Sequence, residues 1–278
     1  MAESLSIPEA RKLVLLAQQL PGTNAKGNAE SATLSAIEHL GYIQIDTLSV
    51  VQRAHHHTLW NRNPRYAPSH LDQLTEDRTV FEYWSHAAAF LPMRDYRFSL
   101  IRKDAFASGK MEHWFDRDKR MEKKILKRIR NEGPLMAKDF EDTGKKSGEW
   151  KVKPAKASLE NLFTQGDLMI SKRIHFHKVY DLTERTLPDG IDTSLPSTEE
   201  YARHLIIRFL QAHGLGQPSE IAYLRKNIKK QITATMAEMV SAGELIQSLS
   251  SGMTTQKISF NFRLCSPDWV SGFFRSSC

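Results

Sequence analysis

The sequence predicts a mainly α-helical protein with small β wings (α+β), built from tandem winged-helix (helix-turn-helix) modules. Three observations predict this class: a helix–glycine–strand phrase that recurs along the chain, helix–turn–helix patterns upstream of two of its copies, and a basic middle third. The length of 278 residues leaves room for several small modules that share a core.

The N-terminal third predicts three helices and one strand. The opening "SIPE" resembles a capping box with proline in the first turn, and Gly41 is placed to end a later helix. The predicted elements are a helix over Ser6–Leu20, a helix over Ala32–Leu40, a strand over Gly41–Val50 and a helix over Leu48–Asn61.

The recurring phrase consists of an amphipathic helix, a glycine that ends it and a β-strand. It is clearest in "SLENLFTQGDLMISKR", where Leu159 and Leu162 precede Gly166. "TMAEMVSAGELIQS" repeats it with Gly243, and "TLSAIEHLGYIQID" is a looser copy with Gly41. This order is typical of a winged helix passing from its last helix into its wing. A scaffold for protein contacts stays open as an alternative use of such modules.

The segments upstream of two copies fit helix–turn–helix units. "MEKKILKRIRNEGPLMAKDFE" predicts a helix to Arg130, a turn at Gly133 and Pro134, and a short helix near Met136. "EEYARHLIIRFLQAHGLGQPSEIAYL" repeats the plan. The predicted divisions are an N-terminal winged-helix-like module at 1–93, a basic module at 94–190, a third module at 191–250 and an atypical tail at 251–278.

Charge is distributed unevenly along the chain, whose net charge is +7. Residues 94–178 carry 22 lysines and arginines against 13 acidic residues, residues 1–93 carry 7 against 9, and residues 179–278 carry 10 against 10. A block of one sign attracts polyanions, so double-stranded DNA is the leading partner class. A solvated surface that is merely basic is the alternative.

Several classes of protein are not expected. The sequence has no apolar run long enough to span a membrane and no signal-peptide pattern, so we expect a cytoplasmic, nucleoid-associated monomer. The two cysteines, Cys265 and Cys278, form neither a metal site nor a disulfide scaffold. Glycine-rich phosphate loops and Gly-x-Ser-x-Gly are absent from the sequence, and we predict no cofactor and no metal.

Gln44 and Asp46 are the candidate catalytic residues within the predicted strand. Side chains alternate between the faces of a strand, so Ile43 and Ile45 can enter the core while Gln44 and Asp46 share the other face. An amide and a carboxylate so placed can orient one water molecule and accept its proton. On spacing alone the structural interpretation is favoured, in which Asp46 caps the next helix.

Three consecutive histidines, His55 to His57, lie on the predicted third helix. Consecutive residues fan out around a helix, so the triplet predicts no metal site, although one of them could face phosphate. Arg53 and Arg62 are candidate phosphate contacts on the same segment. Further along, Glu82 and His86 in "FEYWSHAAAFLP" stand at i and i+4, which permits an exposed structural pair.

Four stretches resemble a known family: "LGYIQIDTLSVVQRAHHHTLWNR", "EYWSHAAAFLP", "GPLMAKDFED" and "KPAKASLENLFTQGDLMISKRIHFHKVYDLTER". They are similar to the YcaQ-like winged-helix crosslink-repair DNA glycosylases, which are related to the azinomycin-resistance enzymes. The resemblance implies tandem winged helices around a basic DNA-binding face, and it covers roughly residues 6–248. The catalytic Gln-x-Asp or Gln-x-Gln element of that family falls on Gln44 and Asp46, which reverses the preference for a purely structural role.

The resemblance implies a monofunctional DNA glycosylase that hydrolyses the N-glycosidic bond of N7-alkylated purines and can unhook interstrand crosslinks. The alternative is a non-catalytic winged-helix DNA-binding protein or transcriptional regulator. The partner would be double-stranded DNA with alkylated or crosslinked purines. The candidate nucleic-acid-binding residues are Arg53, His56, Arg62, Lys123, Lys127, Lys145, Lys146, Lys151, Lys153 and Lys156.

The chain departs from the family pattern in three places. Ala87 stands where the family tends to carry glutamate, and Glu149 and Val152 stand where it often carries tryptophan. Family members usually have a further C-terminal region, so the resemblance implies a C-terminally truncated relative. These departures bear on wing contacts and on the fit of the lesion.

Overall fold

The structure is a computed structural model that describes residues 3–20, 27–143, 153–225, 227–251 and 258–264. It is mainly helical with small sheets, which confirms the predicted class. The helices are α1 (Ile7–Ala17), α2 (Ala29–Leu40), α3 (Ala54–Trp60), α4 (Pro68–Glu76), α5 (Tyr96–Ala107), α6 (Lys119–Glu132), α7 (Pro154–Gln165), α8 (Thr183–Thr186), α9 (Thr198–His213), α10 (Pro218–Ile221) and α11 (Lys229–Ser241). The strands are β1 (Glu3–Leu5), β2 (Ile43–Gln44), β3 (Val80–Trp84), β4 (Ala88–Pro92), β5 (Leu135–Met136), β6 (Leu168–Ile174), β7 (His177–Leu182), β8 (Leu245–Ser251) and β9 (Ile258–Leu264).

Packing divides the chain into two compact units. The first unit joins Met1–Tyr66 to Pro196–Cys278, and the second is the continuous segment Ala67–Leu195. The modules expected from the sequence follow the chain in order, whereas the first unit combines two distant segments. The module boundaries therefore stay a prediction. Within the ranges that the structure describes, no helix has the length and apolar character needed to cross a membrane.

The second unit contains a winged helix in the expected order. Helix α6, strand β5 and a 3-10 turn over Ala137–Thr143 precede α7, and β6 and β7 form the antiparallel wing, with β5 on the outer side of β7. Its core contains Ile125 and Ile129 from α6 and Leu159 and Leu162 from α7. Helix α7 ends at Gly166, whose φ of 94° lies in the left-handed region that glycine adopts at little cost.

The β3–β4 hairpin and α5 form a second core in this unit. Phe81, Tyr83 and Tyr96 are buried there beside Met169 of β6. Lys103 of α5 is 3% exposed, and its Nζ lies 3.9 Å from the ring centroid of Tyr96. Among the described residues this ammonium has no hydrogen-bond partner, and burial lowers the pKa of Lys103 to about 7.

The expectation that Glu82 and His86 form an exposed pair one helical turn apart is wrong, because Glu82 lies on strand β3. Its side chain is 3% exposed and accepts two hydrogen bonds from Arg173 of β6, at 2.6 and 2.7 Å. Arg173 also donates to the carbonyl of Phe176 at the tip of the wing. This bidentate ion pair ties the hairpin to the wing.

The C-terminal part of the first unit is a second helix–turn–helix with a wing. Helices α9, α10 and α11 enclose a core that includes Ile206, Leu210, Ile232 and Met236. Strands β8 and β9 then pair antiparallel, and β1 adds to β8 in parallel. The helix–glycine–strand phrase is confirmed here too, since Gly243 has a φ of 73° between α11 and β8.

The N-terminal helices of the first unit pack on α9. Arg208 of α9 donates to the carbonyl of Glu38 at 2.9 Å, and Gln18 donates to the carbonyl of Ala212. Helix α1 lies close to the backbone of Gly214, the residue after α9, because a Cβ added there would lie 3.0 Å from the Cβ of Ala17. Helices α1 and α2, which precede the segment with the candidate catalytic pair, thus pack on α9 of the C-terminal helix–turn–helix.

The capping box predicted at the start of α1 is confirmed. The main-chain N–H of Ser6 donates to Oε2 of Glu9 at 2.8 Å, and the N–H of Glu9 donates to Oγ of Ser6 at 3.4 Å. Helix α2 begins earlier than expected because Asn28 caps it, accepting from the N–H of Ser31 at 2.7 Å.

Candidate active site

The segment after α2 is less regular than the sequence predicts. Strand β2 covers only two residues, and α3 begins at Ala54 instead of Leu48. Oδ1 of Asp46 accepts a hydrogen bond from the main-chain N–H of Leu48 at 2.9 Å. Such a bond to the backbone two residues ahead makes a local turn that competes with both strand and helix.

Burial nevertheless alternates along this segment. Ile43 and Ile45 are buried in the core, Gln44 is exposed and Asp46 is half-buried. The alternation is that expected of extended chain with Gln44 and Asp46 on the side away from the core. Within the described residues, the side-chain amide of Gln44 has no hydrogen-bond partner. The amide is therefore available to a ligand.

The alternative in which Asp46 caps the next helix is wrong. The N-cap residue of α3 is Arg53, and the carboxylate of Asp46 is bound to Leu48 well before that helix begins. The turn occupies one carboxylate oxygen. In the described part of the chain, the other oxygen has no hydrogen-bond partner, so it can accept a proton or face a developing positive charge.

His55 is a residue of this site that the sequence did not single out from its neighbours. It is 3% exposed, and its Nδ1 accepts a hydrogen bond from the main-chain N–H of Asp46 at 3.2 Å. Acceptance at Nδ1 places the ring proton of the neutral imidazole on Nε2. The first turn of α3 thereby holds the backbone of Asp46.

His56 belongs to an aromatic cluster with Trp60 and Tyr66. Its Nδ1 lies 2.8 Å from the Tyr66 hydroxyl, and Nε1 of Trp60 donates to the Tyr66 carbonyl at 2.9 Å. Burial, followed by the charges of Arg53 and His57, lowers the pKa of His56 below its ordinary value. The ring is therefore neutral at neutral pH, and a phosphate contact through His56 would use a neutral N–H.

Arg62 is not accessible for the phosphate contact that the sequence suggests. Its side chain is 6% exposed, and its guanidinium donates to the carbonyl of Thr58 and to Oε1 of Gln18, both at 2.9 Å. Both acceptors belong to the first unit. Arg62 is therefore a buried residue that links the end of α1 to α3, and no local sequence pattern distinguishes it from a surface arginine.

The surroundings of β2 within the first unit are cationic. Burial, followed by the charges of Arg208 and Arg225, lowers the pKa of His204 to about 3. Arg225 also acts on Tyr42, the residue before β2, whose pKa is raised by burial. The positive potential of these two arginines favours the binding of an anion such as phosphate.

The remaining predicted contacts lie on both units. Arg53 is a half-buried N-cap in the first unit, and in the second unit Lys123 and Lys127 are exposed one turn apart on α6. Lys153 and Lys156 lie at the N-terminal end of α7, the helix that precedes the wing. Three predicted contacts lie outside the described residues: Lys145, Lys146 and Lys151.

Comparison with known proteins identifies the family of this chain. The model of the family described as "DNA glycosylase AlkZ-like" matches residues 37–254, a span that includes both candidate catalytic residues. The structure is similar to that of Streptomyces sahachiroi DNA glycosylase AlkZ, with a TM-score of 0.60 and 14% sequence identity, over 95% of this chain and 70% of that chain. The matched span covers most of the sequence, and the chain therefore belongs to the AlkZ-like DNA glycosylase family.

Proposed function

We propose that this chain is a monofunctional DNA glycosylase that hydrolyses the N-glycosidic bond of N7-alkylated purines in double-stranded DNA, including purines held in interstrand crosslinks. The observation that carries the proposal is that, among the residues that the structure describes, neither the Gln44 amide nor one carboxylate oxygen of Asp46 has a hydrogen-bond partner. Membership of a DNA glycosylase family supports the reaction class. The choice of N7-alkylated purines as the substrate rests on their ability to leave without protonation.

N7-alkylation supplies the activation that an unmodified purine needs from an acid. The alkylated base is already cationic, so it leaves with the electron pair of the C1′–N9 bond and needs no proton from the enzyme. The sugar that remains is oxocarbenium-like, and a nearby anion stabilises it. Asp46 is the anion of this site.

Water completes the reaction. The Gln44 amide orients a water molecule, the unbound oxygen of Asp46 accepts its proton, and the water oxygen bonds to C1′. The products are the free base and an abasic sugar. The Gln-Ile-Asp motif offers no amine for a Schiff base, so strand cleavage by lyase chemistry is not part of the proposal.

Binding of the duplex would rest on phosphate contacts. Lys153 and Lys156 at the start of α7, and Lys123 and Lys127 on α6, are the described lysines suited to this role. Such contacts release counterions, so affinity should fall steeply with salt. The same lysines would serve a non-catalytic DNA-binding protein, and only base release separates the two functions.

The test uses duplex DNA with a single N7-methylguanine and measures free base by chromatography. Wild type should release the base and leave an abasic strand that breaks only after alkali. Asp46→Asn keeps an acceptor for the Leu48 N–H while it removes the negative charge, and Gln44→Ala removes the amide. Each should slow release by about 100-fold or more, the scale of general-base catalysis, with DNA affinity nearly unchanged.

A matched control removes a carboxylate elsewhere. Asp189→Asn changes an exposed aspartate of the second unit and should release base at the wild-type rate. If wild type binds the duplex and releases nothing, the chain is a non-catalytic DNA-binding protein. Strand breaks without alkali would instead show lyase chemistry.

A further inference from the structure

Segment 47–53, which links the candidate catalytic residues to α3, exposes three apolar side chains. Leu48 is 76% exposed, Val50 is 97% exposed and Val51 is 83% exposed. Surface runs of apolar residues are costly to leave in water and mark contact surfaces when they occur together. Local hydrogen bonds account for the backbone conformation of this segment, but they do not account for the exposure of its three apolar side chains.

Both ends of the segment are fixed. At its start, the N–H of Leu48 donates to Oδ1 of Asp46 at 2.9 Å. At its end, Arg53 is the N-cap of α3 and its carbonyl accepts from the N–H of His56 at 3.0 Å. The exposed side chains are therefore carried on a short loop whose base is the candidate active site. A partner that contacts these side chains would therefore lie close to Asp46.

The charge of the surrounding sequence selects the kind of partner. From Thr47 to Leu71 the chain contains three arginines and no acidic residue. Arg62 is buried, so Arg53 and Arg65 are the cations that this stretch offers to a partner, while the acid that precedes it is Asp46 of the candidate catalytic pair. An apolar tip with arginines nearby suits a partner that is anionic outside and apolar within, which describes the phosphate backbone and base stack of DNA. Leucine and similar apolar side chains are the ones that proteins insert between base steps.

We propose that Leu48, Val50 and Val51 form an apolar wedge that enters the base stack beside the lesion and holds it open while Gln44 and Asp46 act. The proposal rests on the proposed glycosylase function and adds the element that gives these residues access to a stacked nucleotide. A base inside a duplex is out of reach of a side chain unless stacking is broken. The wedge is thus a positioning element and takes no part in bond breaking.

The test compares stacked and unstacked substrates. The triple variant Leu48→Ser, Val50→Ser, Val51→Ser should release N7-methylguanine from duplex DNA at least tenfold more slowly than wild type. From a single strand of the same sequence, where little stacking is broken, the two proteins should release it equally. Leu15→Ser, which alters a leucine 50% exposed on α1, is the matched control and should match wild type on both substrates.

A second measurement needs binding alone. In a duplex that carries 2-aminopurine next to a hydrolysis-resistant 2′-fluoro lesion, saturating wild type should raise the 2-aminopurine fluorescence, and the triple variant should not. Equal rates and equal fluorescence for the two proteins would overturn the wedge. A wild-type dimer that the triple variant converts to monomer would also overturn it, because a second copy would then cover this surface. If wild type releases no base, the glycosylase proposal fails, and the fluorescence still decides the wedge.

Discussion

The main-chain N–H of Asp46 donates a hydrogen bond to Nδ1 of the buried His55, at 3.2 Å. The bond joins the segment that carries the proposed general base to the first turn of α3. The side chain of Asp46 is held separately, by the N–H of Leu48. Backbone and carboxylate are thus fixed by two different partners, and each can be altered alone.

Replacement of His55 should therefore affect turnover more than binding. His55→Leu removes the acceptor and should lower the rate constant of base release by about tenfold to 100-fold, because small misplacements of a catalytic group are costly. His55→Asn offers a side-chain oxygen near the position of Nδ1 and should recover most of that rate. Single-turnover kinetics alongside DNA binding checks this. Equal loss in both variants would mean that His55 serves only packing.

The ion pair between Glu82 and Arg173 should be a large local contributor to stability. Glu82→Ala leaves the guanidinium of Arg173, whose side chain is only 13% exposed, without its ion-pair partner and should lower the free energy of unfolding by about 3–5 kcal/mol. The double variant Glu82→Leu, Arg173→Met should recover most of the loss, since no charge is left uncompensated. Chemical denaturation provides the measurement.

An exposed ion pair of the same unit supplies the control for that comparison. Arg130 and Glu184 lie 3.7 Å apart, and their side chains are 59% and 69% exposed. Glu184→Ala should change the free energy of unfolding by less than about 1 kcal/mol, because water screens an exposed pair. A loss as large as that of Glu82→Ala would contradict the role of burial.

Lys103 should make the stability of the protein depend on pH above neutrality. Burial lowers its pKa to about 7 in the folded state, while an unfolded chain holds the proton up to its ordinary value. Between these two values the unfolded state binds more protons, so stability should rise with pH through that window, by at most about 1.4 kcal/mol per pH unit. Lys103→Met should remove this slope and stabilise the protein at pH 7. Unfolding curves from pH 7 to 10 test both effects.

Gly166 should tolerate a side chain less well than Gly190. Both have a positive φ, so alanine should cost about 1–2 kcal/mol of strain at either position. At Gly166 the added Cβ would also lie 3.0 Å from Cδ of Lys103, which the surrounding rings confine, whereas no heavy atom lies within 4 Å at Gly190. Gly166→Ala should therefore be the more destabilising change in thermal unfolding. Equal losses would show that Lys103 moves aside freely.

Features that depend on a few neighbouring residues were predictable from the sequence. The Ser6 capping box and the glycine ends of α7 and α11 form from side chains and dihedral preferences within one turn of chain. The prediction of the strand around Gln44 failed partly because apolar residues continue to Val50, although Asp46 has already turned the chain. The pattern gave burial correctly at Ile43 and Ile45 and failed after the turn, where Leu48 and Val50 are exposed.

Features that depend on distant residues were not predictable. Glu82 finds Arg173, 91 positions later, and Arg62 finds Gln18, 44 positions earlier. Nothing in the local sequence indicates that either arginine would be withdrawn from solvent to bind these distant partners. The same limit hid the role of His55, because three adjacent histidines look equivalent until the fold buries one of them.

The discontinuity of the first unit has a consequence for synthesis. Helices α1 and α2, with the segment that carries Gln44 and Asp46, pack on α9, so they lack their packing partner until residues 198–213 have left the ribosome. The intervening unit is continuous and can form during that wait. Nascent chains released before α9 emerges should therefore lack a formed catalytic segment even when the central winged helix is already protected from protease.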